Sequence, residues 1–125
     1  MEQRKEHYLD KVSFINLLEY LIPIVENKKR TKKDIILLNE QLNKIIETNN
    51  LDKQQLISKW ISINSEQHFN QLKVTNLKDY FSKLGFVFKS SAMYMNKTND
   101  PLYLLAQLSI LTDWYLYRKI NLNTR

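Results

Sequence analysis

The chain contains a single glycine, Gly85, and only two prolines, Pro23 and Pro101, among its 125 residues. Globular proteins average about 7% glycine and about 5% proline. Sheet-rich folds need many tight turns, and glycine supplies the positive φ angles that such turns require. The scarcity of glycine therefore predicts an all-α fold in which helices are joined by short polar connections.

The length of the chain limits the size of this fold. Proteins of about this size bury roughly two thirds of the surface that their unfolded chains expose, which is enough for one hydrophobic core. We therefore expect a single helical domain over residues 1–125, built as a compact bundle of four to six helices.

Cysteine is absent from the sequence. Its absence excludes a disulfide scaffold, thiol catalysis and zinc sites built on thiolates. The charged segment 1–10 lacks the apolar core of a signal peptide. The longest apolar stretch, residues 102–116, is interrupted by polar residues and is shorter than the about 20 residues of a membrane span. We therefore expect a cytoplasmic protein with no membrane span.

The first half of the chain carries clear helix signals. Apolar residues at helical spacing predict a first helix from about His7 to Asn27, with a kink or restart near Ile22 because Pro23 lies within it. Thr31 and Asp34 resemble a capping box and begin a second helix that continues to about residue 49. The apolar stripe of this second helix comprises Ile35, Leu38, Leu42 and Ile45, with Ile46 beside it.

A third helix is predicted to begin at Asp52, whose side chain can cap it. Ser65 begins either a further short turn or the continuation of this helix. The apolar side of the third helix is expected to include Leu56, Ile57, Trp60, Ile61 and Ile63.

Asn76 and Asp79 indicate the start of a fourth helix, and Gly85 is placed as its stop residue. The residues that follow, 86–88, favour a strand by composition. Residues 86–95 are therefore expected to form either a short β-hairpin or a helical segment. Comparison of residues 65–88 with a winged helix-turn-helix gives a poor fit, since Lys73 stands where the turn usually has glycine.

Pro101 opens a final helix that is predicted to extend to about Ile120. This helix is apolar on most of its sides. A helix of this kind belongs in the middle of a bundle or in an oligomer interface.

The positive charge of the chain is concentrated in residues 28–33. The sequence has 19 Lys and Arg against 13 Asp and Glu, a net charge of +6, and without the five cations of this segment the count is 14 against 13, a net of +1. A local field of this kind indicates one anionic contact. The alternative is a solvated loop whose first cations complement the dipole of the preceding helix. The five cations are Lys28, Lys29, Arg30, Lys32 and Lys33.

We interpret the basic cluster, defined as these five cations, as the contact of an intracellular binding protein with an anionic partner. Nucleic acid or a ribonucleoprotein is the expected partner, bound through its backbone phosphates. The final helix and the residues after it interleave aromatic rings with cations, a mixture that can stack on unpaired bases but is more often a core feature. The residues are Trp114, Tyr115, Tyr117, Arg118 and Lys119.

A second hypothesis assigns the chain to another class of protein. An inhibitor, immunity factor or assembly subunit would dock on a protein partner, or form a homodimer, through the apolar final helix. The candidate interface residues are Tyr103, Ile110, Trp114 and Tyr117.

Catalysis has little support in the sequence. Ser65, His68 and Asp79 are the residue types of a nucleophilic triad, but no glycine-rich elbow accompanies them. His7 and Asp10 alone would bind a metal weakly. We therefore expect a protein that is not an enzyme and that uses no cofactor or metal.

Overall fold

A computed structural model of the chain describes residues 11–26, 31–98 and 101–120, with side chains for all of these except residues 90–98. These residues form six α-helices and contain no strand, so the all-α bundle is confirmed. The helices are α1 (Lys11–Glu26), α2 (Lys32–Thr48), α3 (Lys53–Ile63), α4 (Glu66–Gln71), α5 (Leu77–Thr98) and α6 (Pro101–Tyr117).

The sixth helix lies at the centre of the bundle. It packs against α2, α3 and α5, whereas α1 packs against α2 and α5. Every residue from 104 to 113 is buried, so all sides of α6 are covered along this length. The apolar side chains on all sides of this helix are therefore buried by packing inside the bundle.

The second helix confirms the prediction made from its stripe and its caps. Ile35, Leu38, Leu42, Ile45 and Ile46 are all buried. The helix ends at Thr48, and Asn50 follows in the left-handed region with φ 56°, a conformation that asparagine tolerates better than most residues.

The third helix begins as predicted, because the carboxylate of Asp52 accepts hydrogen bonds from the backbone of Gln54 and Gln55. The predicted burial of Ile61 and Ile63 is wrong, since they are 37% and 63% exposed. Ile61 is rotated by about 100° from its neighbour Trp60, and Ile63 is the last residue of α3.

The fifth helix differs most from expectation. The stop predicted at Gly85 is wrong, because α5 continues through this residue to Thr98, and the hairpin considered for residues 86–95 is not formed. Gly85 has no positive φ angle. Val87 is buried three residues after buried Leu84, so the apolar stripe of the helix continues through the segment that favoured a strand.

The first helix continues through Pro23 without the predicted restart. The predicted ends of this helix, His7 and Asn27, lie outside the described residues. The final helix begins at Pro101 as predicted and ends at Tyr117, three residues before the predicted Ile120. None of the described helices combines the length and the apolar character needed to cross a lipid bilayer.

Candidate anion-binding surface

Two of the five cations of the basic cluster are described by the structure. Lys32 and Lys33 are the first two residues of α2, and both are exposed. Neither forms an ion pair with a carboxylate of the described residues. Lys28, Lys29 and Arg30 lie outside the described residues. The described end of the basic cluster is therefore a pair of exposed ammonium groups without a counterion among the described residues.

The nearest acid in the sequence, Asp34, has another role. Its carboxylate accepts a hydrogen bond from the backbone of Thr31 at 2.9 Å, and its own N–H donates to the carbonyl of Thr31 at 3.0 Å. Burial, and after it the charges of Asp34 and Glu40, raise the pKa of Tyr20 on α1. Asp34 therefore holds the start of α2 and acts electrostatically on α1.

A second group of cations surrounds the end of α6. Arg118 and Lys119 follow the helix and are exposed, and Lys78 is exposed in the first turn of α5. Arg118 has φ 61°, and its guanidinium donates to the carbonyl of Thr75 at 3.3 Å. We call Lys78, Arg118 and Lys119 the helix-end cations.

Lys73 lies beside the helix-end cations but is held by aromatic rings. Its Nζ is 4.7 Å from the ring centre of Phe69 and 4.8 Å from that of Trp114. A cation at this distance from an aromatic face is stabilised by the ring quadrupole. Trp114 therefore packs against Lys73. It is the residue that the sequence predicts as a candidate for stacking on a base or for a protein interface.

The other candidate interface residues have different environments. Ile110 is fully buried, so it contacts only the interior of the bundle. Tyr103 is half-buried and lines a shallow apolar groove between α3 and the first turn of α6. Tyr117 is 46% exposed, and its hydroxyl accepts a hydrogen bond from the amide of Asn39 on α2 at 3.4 Å.

A polar cluster joins the end of α3 to α4 and α6 through Asn64. The amide nitrogen of Asn64 donates to the carbonyl of Trp60 at 2.8 Å, which fixes the orientation of the amide. Its oxygen therefore accepts from the hydroxyl of Tyr103 at 2.9 Å and from Nδ1 of His68 at 3.0 Å. Because an amide oxygen can only accept, His68 carries a proton on Nδ1.

The residue types of a nucleophilic triad do not come together. The hydroxyl of Ser65 accepts a hydrogen bond from the backbone of His68 as the N-cap of α4, while the His68 ring contacts Asn64. Asp79 lies in the first turn of α5, where its backbone donates to Asn76. Among the described residues, no three His, Cys, Asp or Glu side chains are grouped as metal ligands.

The most polar part of the interior was not predicted from the sequence. Lys53 and Asp113 form a buried ion pair, and the hydroxyls of Tyr80 and Thr112 share a hydrogen bond of 3.0 Å. The hydroxyl of Ser109 is buried and has no hydrogen-bond partner among the described residues. A signal was available, because Ser109, Thr112 and Asp113 have the spacing of one face within an otherwise apolar helix.

No family model matches the chain, and neither a curated protein nor a solved structure is significantly similar to it. The residues of this chain are therefore the basis for a functional assignment.

Proposed function

We propose that the protein is a non-catalytic binding protein that contacts an anionic partner, nucleic acid or a ribonucleoprotein, through the basic cluster. The single observation that supports this proposal best is that Lys32 and Lys33 are exposed and unpaired with any carboxylate of the described residues. Cations that a protein does not neutralise internally are available to an external phosphate.

The position of Lys32 and Lys33 in the first helical turn supports the same proposal. The amino end of a helix carries a partial positive charge, so lysine is mildly unfavourable there. A bound phosphate reverses this effect, because it is attracted both by the ammonium groups and by the helix dipole. Replacing the two lysines with glutamine should therefore leave folding intact while weakening binding.

Binding to labelled single-stranded DNA, duplex DNA and RNA, measured by fluorescence anisotropy over a salt series, tests the proposal. Backbone contacts give an affinity that falls linearly with salt on logarithmic axes. We expect wild-type protein to bind at low salt and the variant with all five cations replaced by glutamine to lose this binding. Circular dichroism confirms that each variant is folded.

A smaller matched pair separates position from total charge. Lys32→Gln with Lys33→Gln removes two exposed cations of the basic cluster, and Lys44→Gln with Lys59→Gln removes two exposed cations elsewhere. Only the first pair should weaken binding. Equal effects of the two pairs, or no binding by wild-type protein at low salt, would contradict the proposal.

A protein-interaction module is the second candidate function. The apolar faces of α6 are covered, but α1 exposes Val12, Ile15 and Ile22. These three residues have the spacing of one helical stripe. Exposed apolar stripes of this kind occur where another protein docks. Light scattering over a concentration series tests it: self-association that Ile15→Gln with Ile22→Gln abolishes would support docking through α1, and a monomer at all concentrations would argue against a homodimer.

A further inference from the structure

The first helix carries an exposed apolar stripe on the side opposite to α2. Ser13 of α1 accepts a hydrogen bond from the amide of Asn49 of α2 at 3.2 Å, so this side of α1 faces α2. Ile15 is rotated by about 200° from Ser13 around the helix, and Ile22 follows two turns later at nearly the same angle. Ile15 and Ile22 are 43% and 39% exposed. They therefore face away from α2 and are available to a contact outside the bundle.

Two exposed charges lie at the ends of this stripe. As the structure describes it, α1 runs from Lys11 to Glu26. Both residues are exposed, and neither forms an ion pair with a described residue. Around the helix each lies within about 40° of Ile15 and Ile22, and the two charges are separated by about 22 Å along the axis. The stripe therefore has a positive charge at one end and a negative charge at the other.

This arrangement is self-complementary. Lys11 and Glu26 have the same midpoint along the sequence as Ile15 and Ile22. In an antiparallel pair of α1 helices about a two-fold axis through this midpoint, Lys11 of one copy lies level with Glu26 of the other. Ile15 of one copy then lies level with Ile22 of the other. An isologous contact of this kind forms each favourable pair twice, whereas a parallel pair would bring like charges together.

We propose that two copies of the chain associate through α1, packed antiparallel about a two-fold axis at the middle of the helix. This inference rests on the second candidate function and specifies its partner as a second copy of this chain. Ile15 and Ile22 form the apolar centre of the contact, and Lys11 pairs with Glu26 of the other copy at both ends. The antiparallel order also places the positive amino end of each helix dipole beside the negative carboxyl end of the other.

Glu19 opposes this contact to a limited extent. It is exposed, lies at the middle of α1, and is rotated by about 40° from Ile15 and about 60° from Ile22. Its two copies lie on the same flank of an antiparallel pair and repel each other. One helix from each copy also makes an interface at the small end of specific interfaces. We therefore expect a weak dimer that Glu19→Gln strengthens.

The other exposed apolar residues form shorter patches. Ile36 and Leu37 on α2 are 42% and 41% exposed, but the next turn on this face of α2 carries exposed Glu40, Asn43 and Lys44. This patch is therefore one turn long, whereas the stripe on α1 spans two turns. On the other described helices and at the end of α6, the large exposed apolar residues do not share a helical face with one another. They are Ile61, Ile63, Phe86 and Tyr117.

The charges of α1 favour a second copy over an anionic membrane. Helices that lie on such a membrane carry an excess of lysine and arginine beside their apolar face. The exposed charges of the described α1 are one base, Lys11, and two acids, Glu19 and Glu26. An anionic bilayer would repel this surface more than it attracts it.

Charge reversal tests the orientation of the pair. Lys11→Glu leaves a carboxylate at both ends of the stripe, and Glu26→Lys leaves an ammonium group at both ends, so each variant repels its own copy. The double variant restores opposite charges, as does an equimolar mixture of the two single variants. The matched controls, Lys44→Glu and Glu47→Lys, make the same charge changes at exposed positions of α2.

Analytical ultracentrifugation between about 1 μM and about 1 mM measures the dissociation constant over the range of weak association. We expect wild-type protein to dimerise and each single reversal on α1 to raise the dissociation constant about tenfold, since two contacts change from attraction to repulsion. The double variant and the mixture should regain the wild-type value. The controls on α2 should keep it throughout, and circular dichroism confirms that every variant is folded.

Introduced thiols test the register, because the chain has no cysteine of its own. Oxidation of Ile15→Cys protein mixed with Ile22→Cys protein should give a mixed disulfide dimer, since these positions lie level in the antiparallel pair. Either variant alone should form little dimer. Its two thiols would be about 10 Å apart along the axis, which is beyond the reach of a disulfide.

Other outcomes would overturn the inference. If Ile15→Gln with Ile22→Gln abolishes self-association but the reversals on α1 behave like the controls, docking through α1 stands and the antiparallel pair fails. If each thiol variant cross-links as readily alone as in the mixture, the register fails. If wild-type protein is a monomer at every concentration, both the inference and self-association through α1 fail. Binding of nucleic acid through the basic cluster is measured separately and is unaffected by these results.

Discussion

The ammonium group of Lys53 lies 2.8 Å and 3.0 Å from the two carboxylate oxygens of Asp113 inside the bundle. Lys53 is the first residue of α3, and Asp113 is on the central helix α6. Both are buried, at 8% and 0% exposure. The ion pair therefore fixes the start of α3 against α6 where little water is available to solvate either charge.

Removing one partner of this pair should destabilise the protein strongly. Lys53→Met removes the ammonium partner of the buried Asp113 carboxylate, and the loss of one partner of a buried ion pair costs about 3 to 5 kcal/mol. The double variant with Asp113→Leu should recover much of this loss, because the buried carboxylate is then removed together with its ammonium partner. Urea unfolding measures both effects. A loss below about 1 kcal/mol for Lys53→Met would contradict the interpretation, since it would mean that water reaches Asp113.

Alkaline pH should reduce stability through Tyr80. Burial raises the pKa of Tyr80 well above its ordinary value, and the hydrogen bond with Thr112 opposes this shift only in part. The neutral phenol is therefore favoured in the folded state. This preference contributes to the free energy of unfolding. The contribution is fully present below about pH 10, where Tyr80 ionises in the unfolded chain, and is lost as the pH rises toward the higher pKa of Tyr80 in the folded state.

Tyr80→Phe tests this prediction. At pH 8 the variant should be less stable than wild-type protein by about 1 kcal/mol, because the Thr112 hydroxyl loses its partner. At pH 11 wild-type protein should have lost about 1.4 kcal/mol through ionisation of Tyr80 in the unfolded chain, whereas phenylalanine does not titrate, so the difference should vanish or reverse in sign. Chemical unfolding at the two pH values measures the difference, and a constant difference would contradict the prediction.

Ser109 and Thr112 are both buried on α6 but should respond in opposite ways to loss of the hydroxyl. The Ser109 hydroxyl has no hydrogen-bond partner in the part of the chain that the structure describes, whereas the Thr112 hydroxyl is hydrogen-bonded to Tyr80. Ser109→Ala should therefore raise the free energy of unfolding by up to about 1 kcal/mol, with help from the helix propensity of alanine. Thr112→Val should lower it by about 1 to 2 kcal/mol. Thermal unfolding of the two variants measures both changes in stability. Equal losses of stability would contradict the prediction that the two changes have opposite signs.

Gly85 should be replaceable by alanine with a gain in stability. It lies within α5 without a positive φ angle, and a Cβ at this position would be 3.8 Å from Cγ1 of Val25, an ordinary van der Waals contact. Alanine is favoured over glycine inside a helix by about 0.5 to 1 kcal/mol. The melting temperature of Gly85→Ala should therefore rise. A lower melting temperature would show instead that the close approach of α1 requires glycine.

The second helix could be predicted in detail because all its signals are local and agree. Its capping residues Thr31 and Asp34 specify its start, and its apolar stripe repeats with the helical period. The structure places these residues as the sequence indicates. Local preferences that agree with one another and with the final fold make an element predictable from its own sequence.

The fifth helix could not be predicted from local preferences because these conflict. Gly85 and residues 86–88 favour a stop and a strand, whereas buried Tyr80, Leu84 and Val87 continue one helical stripe across them. Packing of this stripe on α6 overrides the intrinsic preferences, which differ by only about 1 kcal/mol per residue.

The candidate surface was predictable only in part for a similar reason. The basic cluster is contiguous in sequence, so its charge can be read directly. Lys78 is about forty residues from Arg118 and Lys119 in the sequence. It comes near them only because Arg118 contacts Thr75 in the folded bundle. Long-range juxtapositions of this kind are consequences of topology.

The central position of α6 has a consequence for how the chain folds during synthesis. The helices that it contacts, α2, α3 and α5, all precede it in the chain. These three helices are therefore synthesised before α6. Their apolar sides stay partly exposed until α6 leaves the ribosome and packs against them. Uncovered apolar surface on a nascent chain favours aggregation and chaperone capture. Release of the sixth helix from the ribosome, rather than formation of the first, sets the moment at which the core can close.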